Sequence, residues 1–109
     1  MANAYKKLGE SAPVAATLTT LYTVPAATST VISTCTVCNR SATATTFRVA
    51  VRTAGAAIAD AHYIYYDLPI AGNDTFAFTL GITLATTDVV SVYATLATVS
   101  FNLFGTEIT

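Results

Sequence analysis

Charged side chains are scarce in this sequence. Five Lys and Arg and six Asp and Glu account for 10% of its 109 residues, against roughly 25% in an ordinary soluble domain. Interspersed charge normally keeps a monomer soluble and discourages pairing at sheet edges. We therefore expect other chains to cover much of the surface. The formal net charge of −1 offers no basic stripe, so we expect no nucleic acid as a partner.

Long apolar runs are missing as well. Thr, Ser, Asp or Gly breaks every apolar stretch well short of the roughly 20 residues that a spanning helix needs. Lys6 and Lys7 are not followed by the apolar core of a signal peptide. We expect no membrane partner, and synthesis in a cytoplasm.

Motifs for catalysis are also lacking. His62 is the only histidine, so any His-dependent triad would have to use it, and no G-x-S-x-G nucleophile elbow is present. We predict a packing or hydrogen-bonding role for His62. Four aspartates fall at strand ends or in turns, where Asp commonly bonds the local backbone: Asp60, Asp67, Asp74 and Asp88. The sequence predicts no enzyme, no catalytic residues and no cofactor.

The two cysteines, Cys35 and Cys38, form a C-x-x-C pattern within a predicted strand. Residues three apart on a strand are separated by ~10 Å, beyond the ~7 Å limit for a disulfide. No second Cys pair or His cluster completes four zinc ligands. We predict two buried free thiols; a disulfide between subunits and a metal or redox centre are the alternatives.

What the sequence does contain is alternation of period two, clearest in residues 46–53. Phe47, Val49 and Val51 fall on one face of this segment, and Arg48, Ala50 and Arg52 on the other. Residues 75–83 alternate in the same way, and this pattern places four apolar side chains inward: Phe76, Phe78, Leu80 and Ile82. The abundance of Thr suits a pleated, half-exposed surface. The chain is predicted to be all-β.

Seven strands are predicted, at 18–24, 28–39, 46–53, 60–67, 75–83, 89–96 and 99–104. Turn residues separate them, including the segment 68–74 with Pro69 and Gly72. Short strands at this spacing indicate an antiparallel β-sandwich, Ig-like or jelly-roll-like, of seven to eight strands in residues 17–109.

Residues 1–16 lack a period and are predicted to be an extended N-terminal arm. Tyr5, Leu8 and Val14 are its only apolar anchors, too few to offset the cost of ordering sixteen residues in solvent. We expect the arm to lie against a neighbouring subunit; packing along its own domain is the alternative.

Further interface residues are expected on two strands. Arg48 and Arg52 would pair with Asp or Glu of a neighbouring subunit, or alternatively form a phosphate site. Strand alternation places Tyr63 and Tyr65 on one face and Tyr66 on the other. These tyrosines would fill the core or an interface, where Tyr is enriched, or stack on a sugar or base.

Several segments together resemble small virion structural proteins of tailed bacteriophages. They are LYTVP at 21–25, CNR at 38–40, TFRVAVR at 46–52, PIAGND at 69–74, DVVSVYA at 88–94 and the final Glu107-Ile108. The resemblance implies a non-enzymatic β-sandwich that assembles symmetrically on the head, neck, tail or baseplate. The expected partners are copies of itself, as a homo-oligomer and most simply a trimer, and a major virion protein such as a capsid or tail protein. A carbohydrate-binding module that contacts host-surface glycan is the alternative.

Overall fold

Two antiparallel sheets packed face to face make up the structure, a computed structural model that describes residues 2–109. The all-β antiparallel sandwich predicted from the sequence is confirmed. Its nine strands are β1 (Asn3–Ser11), β2 (Thr19–Thr23), β3 (Ser29–Asn39), β4 (Thr45–Arg52), β5 (Tyr63–Ile70), β6 (Thr75–Phe78), β7 (Ile82–Leu84), β8 (Val89–Ala94) and β9 (Val99–Ile108). Among the described residues, no helix is long and apolar enough to cross a membrane.

The strand order places β3, β9, β4 and β8 inside the sheets. The five-stranded sheet runs β1-β9-β3-β6, with β7 also paired to β3, and the four-stranded sheet runs β2-β8-β4-β5. Two short 3₁₀ turns, Thr53–Gly55 and Asp60–His62, connect β4 to β5.

Phe47 lies at the centre of the core, as the alternation of β4 predicts. Its ring centroid is 6.0 Å from those of Phe76 and Phe101 and 6.3 Å from that of Tyr65. Burying aromatic and β-branched side chains from both sheets supplies the main driving force for folding. The alternate residues Arg48 and Arg52 lie on the outer face, where they remain partly exposed.

The predicted strand 75–83 is wrong in its middle, because it is divided into β6 and β7. Phe78 pairs with Cys35, and Ile82 pairs with Ile32. The chain therefore advances four residues between these two pairs, whereas β3 advances only three. The surplus residue takes the chain out of the ladder, and Gly81 between the two strands has a φ of +67°. Leu80, predicted to point inward, is consequently 54% exposed.

Three predicted boundaries are wrong by three residues or more. β5 begins at Tyr63 instead of residue 60, because Asp60–His62 form a 3₁₀ turn. β5 continues to Ile70, so the turn predicted to begin at residue 68 starts only after it. Pro69 is tolerated because β5 is an edge strand with no neighbour to receive a hydrogen bond on its outer side. The last strand extends to Ile108 instead of ending at 104, since β9 pairs with both β1 and β3 along this segment.

The segment predicted as an N-terminal arm contains β1, which pairs with β9 of the same chain; Met1 lies outside the described residues. β1 is an edge strand with mostly exposed side chains. Lys6 and Lys7 lie on it and form ion pairs with Glu107 at 2.7 Å and Glu10 at 2.8 Å. This edge therefore carries the lysines that commonly discourage strand pairing between molecules.

Candidate functional site

An arginine and two tyrosines are in contact on the outer face of the four-stranded sheet. Arg48 of β4 lies opposite Tyr93 of β8 in the strand register. Its guanidinium carbon is 4.2 Å from the centroid of the Tyr93 ring and 4.1 Å from that of Tyr66. Both distances are well within the range of cation–π attraction.

Asp67 holds the Arg48 guanidinium in place with two hydrogen bonds. Arg48 Nε donates to Oδ1 at 2.7 Å, and Nη2 donates to Oδ2 at 3.3 Å. This bidentate pairing restricts the orientation of the guanidinium plane and, with the nearby carboxylate charge, raises the Arg48 pKa above its usual value. The acidic partner predicted from a neighbouring subunit is thus supplied by the same chain.

Two irregularities in β5 bring Tyr63 next to Tyr66. The register between β4 and β5 shifts on either side of Val49. Each shift adds one residue to β5, so the side chains that follow it point to the opposite face. Asp67, close to one of these shifts, has a φ of +51°. The rings of Tyr63 and Tyr66 meet at 4.9 Å with an interplanar angle of 86°. We name Arg48, Tyr63, Tyr66, Asp67 and Tyr93 the tyrosine–arginine cluster.

The same irregularities turn Tyr65 inward. Its ring packs 4.9 Å from Phe78 and 5.7 Å from Phe76, so Tyr65 belongs to the core. The prediction that Tyr63 and Tyr65 share a face, with Tyr66 opposite, is wrong because strict alternation does not hold across a bulge.

A shallow cleft of about 490 Å³ lies beside the cluster and is lined by Asp60, Tyr63 and Tyr66. Tyr66 is 59% exposed. Among the ion pairs of the described residues, none uses Asp60. Nearby, His62 Nδ1 accepts a hydrogen bond from the Ala59 N–H at 3.1 Å, which matches the hydrogen-bonding role predicted for this histidine.

Arg52 supports the loop that follows β4. Its Nε donates to Ser91 Oγ at 3.1 Å, and Nη1 donates to the carbonyl oxygens of Gly55 and Ala56 at 3.3 and 3.0 Å. Ser91 is 1% exposed although it lies on the outer face of the sheet. The described contacts of Arg52 are therefore internal, and they hold the loop against this face.

The three predicted anchors of residues 1–16 lie in different environments. Leu8 packs against the core, whereas Tyr5 is 79% and Val14 is 71% exposed. Tyr5 and Val14 are available for contacts with other molecules, and Leu8 attaches β1 to its own sandwich.

A second candidate surface is the outer face of β3, β6, β7 and β9, which we name the uncharged face. Glu107 is the only charged residue in these four strands, all of which lie within the described residues. Its carboxylate does not point outward, because it accepts a hydrogen bond from the buried Tyr22. The face consists mainly of Thr, Ser, Asn and Ala, with one aromatic residue. By alternation and pairing, its outward-pointing residues include Val31, Thr34, Thr36, Cys38, Thr75, Ala77, Thr83, Ser100, Asn102, Phe104 and Thr106.

The two cysteines lie on opposite faces of β3, and both are free, as predicted. The prediction that both are buried is wrong for Cys38, because its side chain lies on the outer face of the sheet. Cys35 is fully buried, and desolvation raises the pKa of its thiol to about 12. Cys38 is partly exposed on the uncharged face. Among residues 2–109, no three His, Cys, Asp or Glu side chains are grouped so that they could hold a metal ion.

Sequence reasoning did not assign a site role to Tyr93, Asp67 or Asp60. Arg48 and Tyr93 are far apart in the chain and become neighbours only through the β4–β8 register. The one available signal is that both lie in strongly alternating strands on the side opposite the apolar residues. Comparison with protein-family models, with curated proteins and with solved structures finds no match.

Proposed function

We propose that this protein is a non-catalytic structural subunit that binds copies of itself and a larger protein partner through the uncharged face. The observation that carries the proposal is the lack of outward-pointing charge on β3, β6, β7 and β9. Charged residues are depleted in the centre of protein–protein interfaces. Small Thr, Ser and Ala side chains also allow another backbone or sheet to approach closely.

Aromatic side chains at the border of this face support the same proposal. Phe104 on β9 is 37% exposed, and Tyr5 on the adjacent β1 is 79% exposed. Aromatic residues are enriched at interfaces and often act as anchors that fill pockets on a partner. Lys7, whose ammonium lies 6.0 Å from the Phe104 ring centroid, marks where the charged rim begins.

The remaining sheet edges supply a second route to association. β2 at one edge of the four-stranded sheet and β6 and β7 at one edge of the five-stranded sheet contain no charged residue. Such edges present unpaired backbone groups that can pair with another chain. The proposed assembly is a closed homo-oligomer, most simply a trimer, because closure limits further addition of subunits.

A charge placed at the centre of the uncharged face tests this proposal. Thr36 lies on β3 between Asn102 of β9 and Ala77 of β6, so Thr36→Lys would put an ammonium group in the contact. We expect light scattering to show a discrete oligomer for the wild type and a monomer for this variant.

The matched control is Thr53→Lys, which makes the same change at an exposed position of the turn after β4, outside the uncharged face and the uncharged edge strands. It should keep the wild-type mass, and circular dichroism should show both variants folded. A wild-type monomer at all concentrations, or an unchanged oligomer in Thr36→Lys, would contradict the proposal.

As the setting of this assembly we propose the virion of a tailed bacteriophage, in the role of a head decoration, neck, tail or baseplate subunit. The support is the set of strand-and-turn segments that resemble such proteins, together with an all-β fold and a charge-poor sheet face. Quantitative mass spectrometry of gradient-purified particles should find the chain at a fixed ratio to the major virion protein. Its recovery only in the particle-free fraction would reject this setting.

A further inference from the structure

We propose that the cleft lined by Asp60, Tyr63 and Tyr66 binds a neutral saccharide, with one sugar ring stacked on Tyr66. This site lies on the four-stranded sheet, whereas the uncharged face belongs to the five-stranded sheet. The proposal is therefore independent of the assembly proposed above, and a structural subunit could carry both surfaces.

The aromatic part of the site is held in position before any ligand arrives. Tyr66 contacts the Tyr63 ring at 4.9 Å and the Arg48 guanidinium at 4.1 Å. Arg48 is itself fixed by Asp67 and by contact with Tyr93. A side chain that is already ordered loses little conformational freedom on binding, which favours affinity.

The polar groups of the cleft suit a ligand rich in hydroxyls. The Asp60 carboxylate can accept several hydrogen bonds, and the tyrosine hydroxyls can both donate and accept. Tyr66 is 59% exposed, so its ring offers an apolar surface next to these groups. A sugar ring has the matching arrangement of an apolar C–H face bordered by hydroxyls.

The charges around the cleft argue against charged ligands. A cation would have to displace the Arg48 guanidinium, which already contacts the Tyr66 ring and is held there by Asp67. The charges of Arg48 and Asp67 offset each other, so a phosphate-bearing nucleotide would be repelled mainly by the carboxylate of Asp60 in the cleft. A neutral ligand avoids both penalties, which favours a saccharide over an ammonium compound or a nucleotide.

The size and shape of the cleft agree with this class of ligand. Its volume of about 490 Å³ falls within the roughly 300–1,000 Å³ of typical small-molecule sites. It is shallow and open at the surface, as a site for part of a longer oligosaccharide would be.

An array of neutral oligosaccharides, followed by calorimetric titration of the best binder, tests the proposal on the full-length protein. Tyr66→Ala should weaken binding about tenfold or more, as expected for loss of a stacking contact. Asp60→Asn should weaken it less, because an amide retains one acceptor. Leu80→Ala removes a similarly exposed apolar side chain, which does not line the cleft, and should leave affinity unchanged.

Circular dichroism and the oligomer mass would show that each variant is folded and assembled. Choline chloride and adenosine monophosphate serve as the cationic and anionic comparison ligands, and neither should bind. The proposal is overturned if no neutral oligosaccharide binds at millimolar concentration, if Tyr66→Ala binds as the wild type does, or if a comparison ligand binds in place of the sugars.

Discussion

At the residue scale, Tyr22 links the two sheets through a buried hydrogen-bonded group. Its hydroxyl lies 2.8 Å from Thr30 Oγ1 and donates to Glu107 Oε2 at 2.6 Å. Burial, aided by the Glu107 carboxylate, raises the pKa of Tyr22 to about 12. Hydrogen bonds from Lys6 and Tyr22 hold the pKa of Glu107 below its usual value of 4.5.

A carboxyl group whose pKa is lowered by folding stabilises the folded state above its unfolded pKa. That contribution is lost as the pH falls from about 4.5 through the folded pKa. We predict that urea unfolding will show a loss of stability over this range and that Glu107→Gln will reduce the loss. Glu10→Gln is the control: the hydrogen bond from Lys7 also lowers the pKa of Glu10, but Glu10 has 73% side-chain exposure against 12% for Glu107, so solvent screens its ion pair and this variant should change the profile less. An unchanged pH profile in Glu107→Gln would contradict this role.

At the element scale, the sequence predicts a strand well where that strand itself contains no extra residue. In β4 the pattern correctly places Phe47 inside and Arg48 outside, because pairing with β8 is uninterrupted from Phe47 to Arg52. It fails in β5 and between β6 and β7, where the register shifts. A bulge depends on how the partner strand is spaced, which the local sequence does not record.

The same limit explains what was missed in the candidate site. The sequence predicts Arg48, Tyr63 and Tyr65 as interface residues, and of these only Arg48 and Tyr63 belong to the tyrosine–arginine cluster. Their contacts with Tyr66, Asp67 and Tyr93 depend on the β4–β8 register and on the irregularities of β5. A surface made by three strands therefore emerges only when the pairing of those strands is known.

At the scale of the whole molecule, the few charged residues of the strands are unevenly distributed between the two outer faces of the sandwich. The outer face of the four-stranded sheet carries Arg48, Arg52 and Asp67, and β1 carries Lys6, Lys7 and Glu10. The uncharged face is what remains, and its centre is β3. Composition alone predicts a covered surface, but only the fold identifies which face would be covered.

Cys38 provides a native probe of that face. It is partly exposed on the uncharged face, near the end of the central strand β3, whereas Cys35 is fully buried with a thiol pKa raised to about 12 by desolvation. In the native protein, a thiol reagent should therefore report on Cys38 alone, because reaction requires an accessible thiolate. Cys38→Ser should remove the signal and serves as the control.

The rate of Cys38 labelling, measured across a range of protein concentrations alongside the molecular mass, is the most direct test that the uncharged face mediates assembly. If this face is the contact between subunits, labelling will slow as the oligomer forms, and in Thr36→Lys it will stay fast. An oligomer in which Cys38 reacts as rapidly as it does in the monomer would contradict the proposal.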